Sequence, residues 1–349
     1  MELRSLALEF GLGGLILFSR NVASPEQVAD LAYDVSRLGG EWPAWVAIDQ
    51  EGGRVARLRA PFTEWPPMAT LGRARDEELA SRFARALAAE LRAVGVSLDF
   101  APVLDVHTNA ANPVIGDRAL SDRAECVARL GAAIVRGLQD EGVAACGKHF
   151  PGHGDTSTDS HVELPVVEHP PDRLRAVEFV PFRAAIEAGV ASIMTAHVLV
   201  PALDEERPAT LSKTIVQGIL RDELGYSGVI VSDDLEMRAI ADRYSTPEAA
   251  VAAIAAGCDA LLLCGGDLDR HAAVLEGLIR AVESGPLALT RVEDALARHR
   301  RLKERMLTSR PAVCSALSPD WRPLPAAALR QVIGTGEHRA VAEEMAQYA

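Results

Sequence analysis

What most constrains this chain is a rhythm. Short apolar runs rich in β-forming residues recur along it, and stretches of helical period lie between them. The runs are Gly13–Phe18, Trp45–Asp49, Val96–Val106, Ala145–Phe150, Ser192–His197, Gly228–Asp233 and Ala260–Cys264. Most are unbroken apolar stretches, the pattern of parallel strands covered on both faces. Between the first two, SPEQVADLAYDVSRL offers Ser24 as N-cap, Pro25 at the first helical position and Gln27 to complete a capping box. Residues 76–94 space their apolar side chains by three and four, with acids in the first turn. Repeated βα units leave two architectures, a closed barrel or a doubly wound open sheet. The polar residues choose between them. Asp49, Asp105, His149, His197 and Asp233 all fall at or just past the C-terminal end of an expected strand. Delivering ionisable groups from five strands to one rim is the habit of a TIM-type (β/α)8 barrel, whereas an open sheet gathers them near one switch point. The expected fold is therefore an α/β barrel. The rhythm stops after about Met306, so the barrel is expected over residues 1–310 and a C-terminal extension packed on it over 311–349.

Composition narrows the partners. With 36 basic against 49 acidic residues the net charge is −13, which argues against nucleic acid or an anionic lipid surface as a general partner. Cys126, Cys146, Cys258, Cys264 and Cys314 are odd in number and form no CxxC pair, so they read as reduced, mostly buried thiols. No run approaches the ~18 apolar residues of a membrane span. The N-terminal GLGGLILF lies between Glu9 and Arg20 with no A-x-A site after it, unlike a signal peptide. The expected location is cytoplasmic.

The densest chemistry is KHFPGHGDTSTDSH, Lys148 to His161. A metal reading would use His149, His153, Asp155, Asp159 and His161, but Pro151, Gly152 and Gly154 break the helix that would align a four-residue His pair. A phosphate-loop reading fails because the lysine precedes the glycines. An acid/base reading uses Asp159 to orient His161 two residues on, fix its tautomer and raise its basicity. The competing explanation is two polar residues capping a turn. Lys148 adds a hint, since only three of the 36 basic residues are lysines. At VSDDLEM either Asp233 or Asp234 serves equally well as carboxylate or as cap of a following helix. Asp, Arg, Lys and His converging from several strand ends suit a neutral, hydroxyl-rich ligand.

KHFPGHGDTSTDSH, DQEGGRVAR, APVLDV, NPVIGDRA, MTAHV and SDDLEM stand in an order and spacing that resemble family 3 glycoside hydrolases. The likeness is greatest to the β-N-acetylglucosaminidases of bacterial muropeptide recycling, and it runs from about Gly11 to Met306. The resemblance implies a retaining exo-hydrolase that releases non-reducing terminal N-acetylglucosamine from muropeptides without metal or organic cofactor. It implies Asp233 as nucleophile, His161 as acid/base and Asp159 as its dyad partner. It implies sugar-binding roles for Asp49, Arg57, Arg118, Lys148 and His149. A histidine donor titrates near neutrality without burial to tune it, and repels an incoming anion less than a carboxylate does, so phosphate could replace water in the second step. Relatives have a strand and a connecting helix ahead of the segment matching GGLILF. Here Glu2 to Phe10 fits only the helix, which predicts seven strands and further coding sequence upstream. The rival readings are a β-glucosidase or other sugar-specific relative, and a catalytically inactive carbohydrate-binding barrel.

Overall fold

Seven strands form one parallel sheet in chain order: β1 (Gly14–Leu17), β2 (Trp45–Ile48), β3 (Leu98–Asp99), β4 (Ala144–Phe150), β5 (Ser192–Thr195), β6 (Val229–Asp234) and β7 (Ala260–Leu262). The computed structural model describes residues 2–38, 40–160, 163–308 and 324–349. Every expected run contains a strand. The run over 96–106 is the one that changes character, because only Leu98 and Asp99 keep the ladder to β2 and β4. Pro102 has no N–H to lend a ladder, and beyond it the chain holds to β4 through a single bridge, Val103 to Lys148. Helix Pro25–Ser36 also departs from expectation: Ser24 Oγ accepts the Gln27 N–H at 3.2 Å, but Gln27 Oε1 takes the Ala23 N–H, so the box is not closed on Ser24. Helix Glu77–Ala93 begins as its acids suggest, with the Asp76 carboxylate accepting the N–H groups of Glu78 and Leu79.

Side chains alternate between the two faces of the sheet. Val46, Ile48, Ala145, Ile193 and Ile230 face the helices in the main core. Trp45, Ala47, Leu98, Phe100, Ala144, Cys146, Met194, Val229 and Val231 form a second, inner cluster, to which Ile16 of β1 and Ala260 and Leu262 of β7 also belong. The sheet curls around that cluster until its edges approach. Past β1, Arg20 Nη2 donates to the Cys264 carbonyl, just past β7, at 3.0 Å. At the other end Lys303 Nζ donates to the Gly13 carbonyl at 3.1 Å. Among the described residues no ladder joins β7 to β1. Instead Leu302, Met306 and Leu307, at the end of helix Leu289–Lys303 and in the turn of helix after it, complete the inner cluster from the N-terminal side.

Residues 2–10 form no strand: Leu3–Phe10 is a helix against helix Leu268–Glu283. Toward the C-terminus, helices Ala326–Val332 and Gly336–Ala346 lie on helix Glu77–Ala93. Glu90 anchors them. Its buried carboxylate accepts the Gly334 N–H at 2.9 Å, pairs with His338 Nδ1 at 2.8 Å and takes the Thr63 hydroxyl at 2.6 Å. Among the described residues no helix is long and apolar enough to cross a membrane.

Candidate active site

The C-terminal ends of the strands bring the charged residues of distant motifs into one network. Asp49 and Glu51 follow β2, Lys148 and His149 lie in β4, His197 follows β5 and Asp233 lies in β6. At its base Lys148 Nζ donates to Glu51 Oε1 at 2.6 Å and to Asp49 Oδ1 at 2.9 Å. Arg118 grips Glu51 with two parallel bonds, Nε to Oε2 at 2.9 Å and Nη2 to Oε1 at 2.8 Å, and Arg57 Nη2 reaches Asp49 Oδ2 at 3.1 Å. Burial disfavours the charge on Glu51, yet Lys148 and Arg118 outweigh it and hold the carboxyl far below the usual range. Lys148 answers in kind: burial lowers its pKa, but Asp49 and Glu51 raise it above the ordinary lysine value. A short, strongly hydrated ammonium with three donors suits a point shared by two carboxylates, where arginine's rigid fork would not.

A second hub fixes the loop. Asp105, fully buried, pairs with His149 Nδ1 at 2.7 Å and accepts the backbone N–H groups of His149 and His153 at 3.3 and 2.6 Å. With Nδ1 committed to Asp105, Nε2 is the His149 nitrogen left for a ligand. His153 turns to Thr156 Oγ1 through Nδ1 at 2.7 Å and to Ser160 Oγ through Nε2 at 3.2 Å. Burial pushes its pKa down to about 4. Two histidines of the metal reading, His149 and His153, are thus each engaged with other partners. Gly154 is required by contact: a Cβ there would fall 1.9 Å from the Val106 carbonyl oxygen. The register of β4 against β5 shifts between Gly147 and Phe150, the irregularity that lets neighbouring Lys148 and His149 both serve the rim. Asp159 is half-buried, and its carbonyl accepts the Glu163 N–H at 3.0 Å. His161 lies outside the described residues.

Asp233 and Asp234, equivalent in the sequence, take different surroundings. Asp234 Oδ1 accepts the N–H groups of Glu236 and Cys264 at 3.1 and 3.2 Å, a turn-capping role, and burial raises its pKa. For Asp233 burial also acts upward, but His197, His149, the Asp234 N–H and Lys148 outweigh it and keep the carboxyl below its ordinary value. Asp233 is half-buried and ionised, beside side chains with bonding capacity to spare. At the base of the network Arg57 Nε is buried without a hydrogen-bond partner among the described residues.

Of the residues singled out in the sequence, Asp49, Arg57 and Lys148 meet directly, Arg118 joins Lys148 through Glu51, and His149 and Lys148 both act on Asp233. Glu51, inside the DQEGGRVAR motif, and Asp105, expected at a strand end, are the buried carboxylates that orient them. Asp99 was passed over. It ends β3, fully buried, with Oδ1 on the Gln50 N–H at 2.9 Å, and burial raises its pKa well above the usual value. An acid inside an otherwise apolar run was the available signal. Cys126, Cys146 and Cys258 are free and buried and Cys264 free and half-buried, while Cys314 lies outside the described residues.

The glycosyl hydrolase family 3 N-terminal domain matches residues 1–302. A β-hexosaminidase of Thiobacillus denitrificans is 45% identical over 259 residues, 72% of this chain and 71% of that protein. The family 3 β-N-acetylglucosaminidase of a Paenibacillus species superposes with a TM-score of 0.89 at 43% identity; 99% of this chain is covered, but it spans only 65% of that one. NagZ of Neisseria gonorrhoeae, solved in complex with N-trifluoroacetyl-D-glucosamine, superposes at 0.79 with 33% identity over 99% of this chain and 93% of its own. With its domain matched almost end to end and its charged rim assembled from that domain's strand ends, the chain belongs to glycosyl hydrolase family 3.

Proposed function

We propose that this chain is a retaining exo-β-N-acetylhexosaminidase that removes non-reducing terminal N-acetylglucosamine from muropeptides, in the cytoplasm. The observation that carries the reading is the contrast between adjacent aspartates: Asp233 ionised and half-open, Asp234 tied into a turn. A retaining glycosidase needs one carboxylate nucleophile and one proton donor on opposite sides of the anomeric carbon. In the first step an Asp233 oxygen bonds to the anomeric carbon while the glycosidic bond breaks, and the leaving oxygen takes a proton from His161, held by Asp159. In the second, His161 takes a proton from water, the water oxygen bonds to the anomeric carbon, and the ester to Asp233 breaks. Asp49 accepts sugar hydroxyls, while Arg57, Arg118, Lys148 and His149 donate to them. A neighbour solved with an N-acylated glucosamine analogue supports the substrate class.

We read the curled sheet as a (β/α)8-type barrel over residues 1–310, with 311–349 as an extension on its flank. A fluorinated glycosyl fluoride of the N-acetylglucosamine series should label Asp233 covalently, and Asp233→Ala should lose about 10⁴-fold or more in kcat with its melting temperature little changed. Label on another residue, or a retained rate, overturns the assignment. His161→Ala should damage a natural disaccharide about 10²–10⁴-fold and a nitrophenyl glycoside far less, because a phenolate leaves without a proton. Equal losses on both substrates would make His161 a binding residue.

A further inference from the structure

His197 is a fully buried residue for which the two-step scheme has no use. Its ring lies between two acceptors. Nε2 is 2.9 Å from the Asp234 carbonyl oxygen, which can only accept, so Nε2 carries a proton. Nδ1 is 2.8 Å from Thr210 Oγ1. That hydroxyl has one proton to give, and Thr210 Oγ1 donates to the Ala196 carbonyl at 3.0 Å. Its two lone pairs then accept from Thr195 Oγ1, 2.9 Å away, and from Nδ1 of His197. Thr195, Ala196, His197 and Thr210 are all shut off from solvent, so no outside water is at hand to change the count. With the Thr210 proton on the Ala196 carbonyl both ring nitrogens carry protons, whereas turning that hydroxyl onto Nδ1 would leave the ring neutral.

We propose that His197 is an imidazolium, a buried cation behind Asp233 that keeps that carboxylate anionic and aligned, with the Thr195–Thr210 hydroxyl pair as the acceptor that fixes both protons. It is a positioning residue, acting through Asp233, and its kinetic consequence rests on the reading of Asp233 as nucleophile. The surroundings are consistent with a cation there. The ring reaches the Asp234 carbonyl of β6 and acts on Asp233, around which also lie Lys148 and His149 of β4, His153 of the loop beyond it and Cys264 past β7. His197, His149 and Lys148 together hold the Asp233 carboxyl below its ordinary value, His197 acting most strongly. An imidazolium at this point makes Asp233 a weaker nucleophile but a better leaving group, which favours release of the sugar in the second step.

The test separates protonation from catalysis. In ¹⁵N-histidine-labelled enzyme, both ring nitrogens of His197 should show protonated shifts across pH 5–8. A neutral ring with bare Nδ1 overturns the proposal, whatever residue a fluorosugar labels. Thr210→Val removes the hydroxyl that accepts from Nδ1, and Thr210→Ser keeps it. In the valine variant the acidic limb of kcat/KM should move to higher pH, so that activity near pH 4.5 falls about tenfold more than activity at pH 7. The serine variant should keep the native profile. A uniform loss in the valine variant, with no change in the shape of the profile, would assign the hydroxyl a packing role and overturn the kinetic half. If the fluorosugar labels a residue other than Asp233, the reading of the nucleophile falls while the protonation result still stands or fails by itself.

Discussion

At the C-terminal end of the sheet Glu51 sits beneath Lys148 and Arg118; at the N-terminal end Asp259, just ahead of β7, sits beneath Arg221, Arg291 and Arg298. Both carboxylates are buried and both are paired with arginine. The difference lies in what the partners have left over. Asp259 takes the Ile230 N–H at 2.9 Å as well as its three guanidinium partners, so strand β6 and the helices Thr214–Glu223 and Leu289–Lys303 close on one carboxylate. Around Glu51 side-chain exposure grows outward, from 2% at Glu51 and Lys148 through 11% at Arg118 and 16% at Asp49 to 25% at Arg57. The first cluster is a staple, and the second is a set of donors and acceptors held in place with one side open. In (β/α)8 barrels the C-terminal rim carries chemistry and the opposite face carries stability, and this curled sheet divides its charged clusters the same way.

That contrast breaks most easily at Asp259. Asp259→Asn leaves one buried and two half-buried guanidinium groups short of charge and should cost about 3–5 kcal/mol of stability by denaturant melts. Activity per folded molecule should hold at low temperature. A large loss in kcat there would show that the staple also shapes the rim. Glu51→Gln should reverse the pattern, with kcat/KM down about 10²-fold, mostly through KM, as Lys148 and Arg118 lose their shared anchor. An unchanged KM would place Glu51 among the staples. The pH dependence follows the same pair. Because the folded Glu51 carboxyl lies below its unfolded value, its stabilisation is present above about pH 4.5 and is lost as pH falls toward the folded value. The stability gap between wild type and Glu51→Gln should be flat above about pH 5.5 and shrink below about pH 4.

The smallest effect is expected at Lys303, buried next to Leu302 of the inner cluster with the Gly13 carbonyl as its acceptor among the described residues. Burial pushes its pKa down to about 8, so the folded chain gives up a proton that the unfolded chain keeps until the ordinary lysine value. Stability should therefore rise with pH between about 8 and 10 relative to Lys303→Met. The variant should melt about 2 °C higher near pH 7.5 and lose that lead by pH 10. A lead that persists at pH 10 would mean that the methionine packs better, and that the buried charge is not the cost.

Residue pattern alone determined the order and direction of the strands, because a continuous apolar run between amphipathic helices has few other ways to hide both faces. It also located most of the site: Asp49, His149 and Asp233 could be read as rim residues from their places at strand ends, and the spacing of the motifs pointed to the family. Less visible was the shortening of the 96–106 run, since Pro102 removes its ladder bond only if the neighbouring strand asks for one there. The motifs also gave Glu51 no role, and Asp105 no more than a place at a strand end. Their meaning depends on partners far along the chain, Lys148 and Arg118 for one, His149 and His153 for the other.

Asp233 and Asp234 show the division most sharply. They share a type and a motif, and no local rule separates them. Folding brings Cys264 across to bond one carboxylate, and His197, His149 and Lys148 to surround the other. Hydrophobic pattern is a property of neighbours in sequence and can be read there. A carboxylate's charge is set by whatever lies within a few ångströms of it, and only the tertiary structure decides that.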